Sequence, residues 1–71
     1  MNLHLADEGK KYIIHEITIE DEELNLFLFS LGCYVGEPIT VISKSKSGSI
    51  VLIKDGRYSI DKHLAEAIKV K

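Results

Sequence analysis

The sequence predicts a mainly β domain: a small antiparallel barrel of about five short strands, with a helix inserted after the first strand and a short C-terminal helix. Three observations predict it. Short β-prone runs recur with turn residues between them. The segment 21–31 interrupts that pattern with helical spacing. The 71 residues suffice for one domain, 1–71, in which closing a small sheet removes exposed strand edges.

Residues 1–10 place Leu3 and Leu5 before Asp7-Glu8-Gly9-Lys10, which reads as a turn or one helical turn and an entry loop. Lys11 to Thr18 is the first strand, carried by Tyr12, Ile13, Ile14 and Ile17. Glu20-Asp21-Glu22-Glu23 marks a helix start, because carboxylates there meet unpaired amides and the positive end of the dipole. The alternative for this acidic run is a cluster that attracts metal.

The helix covers 21–31. Leu24, Phe27, Leu28 and Leu31 share one face by their i, i+3, i+4, i+7 spacing and form the expected core stripe. Gly32 stands where a helix end favours a left-handed residue, and Gly36 can supply a second strained backbone angle. Glu37 to Ser45 is the second strand, with β-branched Ile39 to Ile42 at its centre. Lys44-Ser45-Lys46-Ser47-Gly48-Ser49 is a polar turn.

Ile50 to Ile53 is apolar at every position, so the third strand is expected to be buried on both sides. Asp55-Gly56 predicts a two-residue type I′ hairpin turn leading into Arg57–Ile60, which assigns Gly56 a structural role. Asp61 caps a short helix to Ala67, and Ile68-Lys69-Val70 closes as the last strand.

Composition narrows the function classes. Cys33 is the single cysteine, so no disulfide forms within the chain, and a lone thiol suits a reducing cytoplasm. No apolar run of about 18 residues is present, so no segment is expected to span a membrane. The start, Met1 to Leu5, lacks the basic and apolar regions of a signal peptide. Residues 1–43 carry two lysines against eight acids, and 44–71 carry seven basic residues against three acids, within a net charge of −2. That asymmetry reads as solvated surface or as a steering patch.

Catalytic constellations are missing. No nucleophile, base and orienting group stand in a recognisable pattern, and no glycine-rich nucleotide loop occurs. Cys33 reads as a small buried apolar residue. His4, His15 and His63 are widely spaced, and Asp61 lies two residues from His63. These side chains form no closed donor set in sequence, so no catalytic, cofactor or metal residues are assigned. Weak binding of a divalent iron or zinc ion, within one chain or between two, stays an alternative.

Two ordered motifs carry a family resemblance. Leu28-Phe29-Ser30-Leu31-Gly32-Cys33-Tyr34-Val35-Gly36 followed by a strand, and Ala65-Glu66-Ala67-Ile68-Lys69-Val70 at the end, are similar to the FeoA family. Leu3, Leu5 and Gly9 fit its start, although the family usually has proline where Glu8 stands. The resemblance covers essentially the whole chain. It implies an SH3-like barrel and a non-enzymatic, cytoplasmic accessory protein of bacterial ferrous iron uptake. The implied partner is the cytoplasmic, GTP-hydrolysing part of a FeoB-type transporter. FeoA-like domains also end metal-dependent repressors, so a transition-metal-responsive regulatory module is the related alternative. This chain shows no attached DNA-binding domain, which favours the transport partner.

Within that reading, Leu26 and Phe29 are the expected contact residues, because a helix lying on a barrel cannot bury both of its faces. The family often carries basic residues at the positions matching Leu26 and Phe27. Lys44, Lys46 and Arg57 are the expected rim against an acidic partner. Self-association through Leu26 is an alternative use of the same face. A nucleic-acid-binding barrel is the runner-up from another class: Lys44, Lys46, Lys54, Arg57 and Lys62 are basic and Tyr58 could stack on a base, but an isoelectric point near 5.8 is poor for tracking phosphates.

Overall fold

A computed structural model describes residues 1–71. After a single 3-10 turn at Leu3–Leu5, the chain runs β1 (Lys11–Ile17), α1 (Glu22–Leu31), β2 (Pro38–Lys44), β3 (Gly48–Ile53), β4 (Gly56–Asp61), α2 (Lys62–Ala67) and β5 (Ile68–Val70). The strands form one antiparallel sheet in the order β4-β3-β2-β1-β5. No helix is long and apolar enough to cross a membrane.

The sheet folds over on itself through β1. Its first half pairs with β2 (Tyr12 opposite Ile39) and its second half with β5 (Ile17 opposite Ile68). Irregularities between Ile14 and Glu16 and between Val41 and Ser43 supply the bends, since an extra residue in one strand curves the ladder. The two end strands, β4 and β5, do not pair. The ladder is therefore open where full closure was expected, and α2 with the 3-10 turn spans the gap.

The core sits inside this curl. Leu3, Ile14, Ile39, Val41, Val51 and Ile68 are all fully buried, joined by Leu28 and Cys33 from the α1 side and Ala65 from α2. β3 alternates instead of being buried on both faces: Val51 and Ile53 point inward, while Ile50 and Leu52 are exposed. The outer side of β3 has no covering layer, so the all-apolar run does not mean two-sided burial. The polar stretch before it is also shorter as a turn than its composition suggests, because Gly48 and Ser49 already belong to β3 and are buried.

The β3–β4 hairpin departs from its expected register. Ile53 pairs with Gly56, so the two loop residues are Lys54 and Asp55. Only Lys54 is left-handed, at φ 53°, so the turn is not type I′, which needs positive φ at both positions. Gly56 sits in the strand, and a β carbon there would collide with the ring of Tyr58. Close ring packing, rather than turn geometry, is what glycine allows at that position.

Candidate docking surface

α1 starts where the Asp21 carboxylate accepts a hydrogen bond from the Leu24 N–H, satisfying one orphan amide of the first turn. It ends at Gly32, which is left-handed at φ 93° and donates back to the carbonyls of Leu28 and Phe29. Between these stops the helix buries a single side chain completely, Leu28. Leu24, Asn25 and Leu31 are half-buried beside it, with the Asn25 amide donating to the Ile19 carbonyl at 2.7 Å.

Phe27 is not part of the core. It is 56% exposed, alongside Leu26 at 63% and Phe29 at 61%. Leu28 is the one α1 side chain in the core cluster, and Phe27 lies about 100° from it around the axis, turned toward solvent. Val35, just past the helix, is also 61% exposed. Scattered exposed leucines are ordinary, but four large apolar side chains within ten residues form a patch.

The patch has an anchored corner. The Phe29 ring packs on Tyr34, centroids 4.7 Å apart and tilted by 32°. Lys54, from the β3–β4 loop, reaches over Tyr34 at 5.7 Å and forms an ion pair with Glu37. The Glu37 carboxylate, by hydrogen bond and charge, holds the Lys54 ammonium above its ordinary pKa. Gly36, left-handed at φ 95°, donates to the Ile14 carbonyl at 2.7 Å and ties the loop between α1 and β2 to the sheet.

The basic residues divide into two groups. Lys54 and Arg57 lie at the α1 end of the sheet, where Arg57 faces Leu52 across the hairpin. Lys44 and Lys46 are exposed at the opposite end of the β2–β3 hairpin, six β3 residues away, roughly 20 Å at a rise of about 3.3 Å per residue. The Lys44 backbone N–H donates to the Glu8 carboxylate at 2.7 Å. No spacing in the sequence marks Tyr34, Glu37 and Lys54 as an aromatic–ion-pair cluster. Opposite charges at the ends of neighbouring strands were the available signal.

Cys33 is buried, and burial pushes its thiol up to about 11, which keeps it neutral and unreactive. No group of three or more His, Cys, Asp or Glu side chains is placed to hold a metal ion. Asp61 is occupied as the N-cap of α2, accepting from the Leu64 N–H at 2.8 Å, and His63 is exposed.

The FeoA domain model matches residues 1–71. No curated protein matches the sequence. Among solved structures, an iron uptake regulatory protein (FeoA) aligns at 26% identity and a TM-score of 0.87, over all of this chain and 95% of that one. Iron(II) transport protein A from Clostridium thermocellum aligns at 22% identity and a TM-score of 0.88, over all of this chain and 44% of that one. Stenotrophomonas maltophilia FeoA complexed with zinc, described as a prokaryotic SH3 domain protein, aligns at 16% identity and a TM-score of 0.85, over all of this chain and 89% of that one.

Proposed function

The chain belongs to the FeoA family, associated with ferrous iron transport, and from that membership we propose that it is a non-enzymatic cytoplasmic accessory protein of a FeoB-type transporter. It docks onto the cytoplasmic, GTP-hydrolysing part of the transporter and modulates uptake. The observation that carries the reading is the outward face of α1: Leu26, Phe27, Phe29 and Val35 stay in water while one side chain, Leu28, secures the helix to the core. Leu28 burial, the Asp21 and Gly32 caps and the Asn25–Ile19 hydrogen bond hold α1 from its inner side and its ends, so its outer face is left to a partner.

Leu26 and Phe29 form the apolar centre of the contact, with Arg57 on the near rim. Lys44 and Lys46 join that rim only where the partner extends along the sheet to the far hairpin. Gly32 and Gly36 shape the surface without touching the partner. The test is an NMR titration of the labelled protein with the soluble cytoplasmic domain of the cognate transporter. Shifts concentrated on Leu26, Phe27 and Phe29 are expected. Shifts confined to β2–β3, or none at high concentration, would overturn docking through α1.

A second reading, a metal-responsive regulatory module, is favoured by one observation: a manganese-dependent transcriptional repressor aligns at 18% identity and a TM-score of 0.87, over 99% of this chain and 40% of that one. Saturable, stoichiometric binding of manganese or iron in calorimetry would favour it over docking alone.

A further inference from the structure

The open sheet leaves two edges, and they are treated differently. β5 is three residues long, and its outer side is occupied: Val70 N–H donates to the Met1 carbonyl at 2.8 Å, and Asn2 bridges to Lys69. β4 is six residues long and pairs only with β3. α2 begins directly after Asp61 and spans the gap at that end, but no strand pairs with the outer side of β4, and such an edge is a template for another strand.

The register says which groups are free. In a two-residue hairpin closed by the Ile53–Gly56 pair, hydrogen-bonded pairs recur at Val51–Tyr58 and Ser49–Ile60. The backbone N–H and C=O of Arg57 and Ser59 therefore point away from β3, and neither residue takes part in any hydrogen bond outside the ladder. The side chains of Arg57, Ser59 and Asp61 share the outer face and are all exposed, whereas Ile60 is turned into the core; one Asp61 oxygen caps α2 and the other is the one open to an ion pair.

We propose that this edge pairs with a second copy of the same chain, β4 against β4 antiparallel, about a two-fold axis through Ser59. That register is self-complementary. Ser59 meets Ser59 and exchanges both backbone hydrogen bonds, and Arg57 of each copy stands opposite Asp61 of the other. Small side chains at the axis let the backbones approach, and two ion pairs flank them. Other in-register choices lose this match: an axis through Tyr58 would present backbone groups already used by β3. The contact is separate from α1, so it leaves the proposed docking face open in both copies and does not depend on the docking reading.

A dimer held by one strand pair and two exposed ion pairs is weak, so association is expected in the sub-millimolar range. Sedimentation equilibrium over a concentration series measures it. Ser59→Pro removes the N–H that would donate across the axis, and because that N–H faces away from β3, the β3–β4 ladder is kept. Ser59→Pro should be monomeric at every concentration with unchanged far-UV circular dichroism. Arg57→Asp places like charges opposite Asp61 and should weaken association about tenfold. Asp61→Asn removes the opposing charge while keeping a side chain that can cap α2, and should weaken association by a similar factor. Should Ser59→Pro fail to fold, the charge variants decide. A wild-type chain that stays monomeric at millimolar concentration, or a dimer insensitive to Arg57→Asp, overturns the proposal.

Discussion

The stem of Lys54 lies directly against Gly32: a β carbon at Gly32 would fall 2.6 Å from Lys54 Cε. This contact joins the end of α1 to the β3–β4 loop, two elements far apart in sequence. Gly32 is constrained by its φ of 93°, and the flexible, exposed lysine stem lies across it. The same stem carries the ammonium over Tyr34 and onto Glu37. Gly32→Val is expected to lower stability by about 1–2 kcal/mol or more, from left-handed strain with displacement of Lys54 added. Urea unfolding measures it, and an unchanged midpoint would remove the structural role given to Gly32.

Substitution on the outer face of α1 should separate binding from folding. Leu26→Lys changes an exposed residue, and its effect on stability is expected within about 0.5 kcal/mol. Binding to the transporter's cytoplasmic domain is expected to fall at least tenfold, as for an anchor residue at an interface. Phe29→Ala should also cost about 0.5–1.5 kcal/mol of stability through its lost packing on Tyr34. Full-strength binding by both variants would clear α1 of the docking role.

The punctuation of the helix could be read from sequence, and its orientation could not. Asp21 and Gly32 act through local backbone chemistry, so residue type and position suffice to locate the ends of α1. Which side faces inward depends on how narrowly the barrel meets the helix, and spacing alone assigned Phe27 to a core that only Leu28 fully enters. The loop after β3 shows the same division. Asp55-Gly56 signals a turn, but pairing of Ile53 with Gly56 sets its register, and Gly56 lies in the strand against the end of the Tyr58 side chain. The cluster of Phe29, Tyr34, Glu37 and Lys54 spans three elements, so it becomes visible only when the sheet brings them together.

Ser49 is buried in β3 and its hydroxyl has no protein hydrogen-bond partner. An unmatched buried hydroxyl carries a desolvation cost of about 1–3 kcal/mol that alanine would avoid. Ser49→Ala is expected to raise stability by about 1 kcal/mol, read as a higher urea midpoint with an unchanged slope. A loss of stability would show that the hydroxyl is satisfied in solution.

Cys33 makes the fold sensitive to alkali. Its thiol is pushed from 9.0 to about 11 by burial, so between these values the unfolded chain gives up a proton that the folded chain keeps. The unfolded state binds fewer protons there, and stability must fall as pH rises through that window. The whole shift corresponds to about 2–3 kcal/mol. Below pH 9 the term is constant, so it does not alter stability near neutrality. Tyrosines and lysines titrate in the same range, and comparison with Cys33→Ala removes their share. The variant should lose less stability than wild type between about pH 9 and 11 in urea titrations. Equal alkaline slopes would mean the thiol is solvated in the folded state, and the native protein would then react with thiol reagents without unfolding.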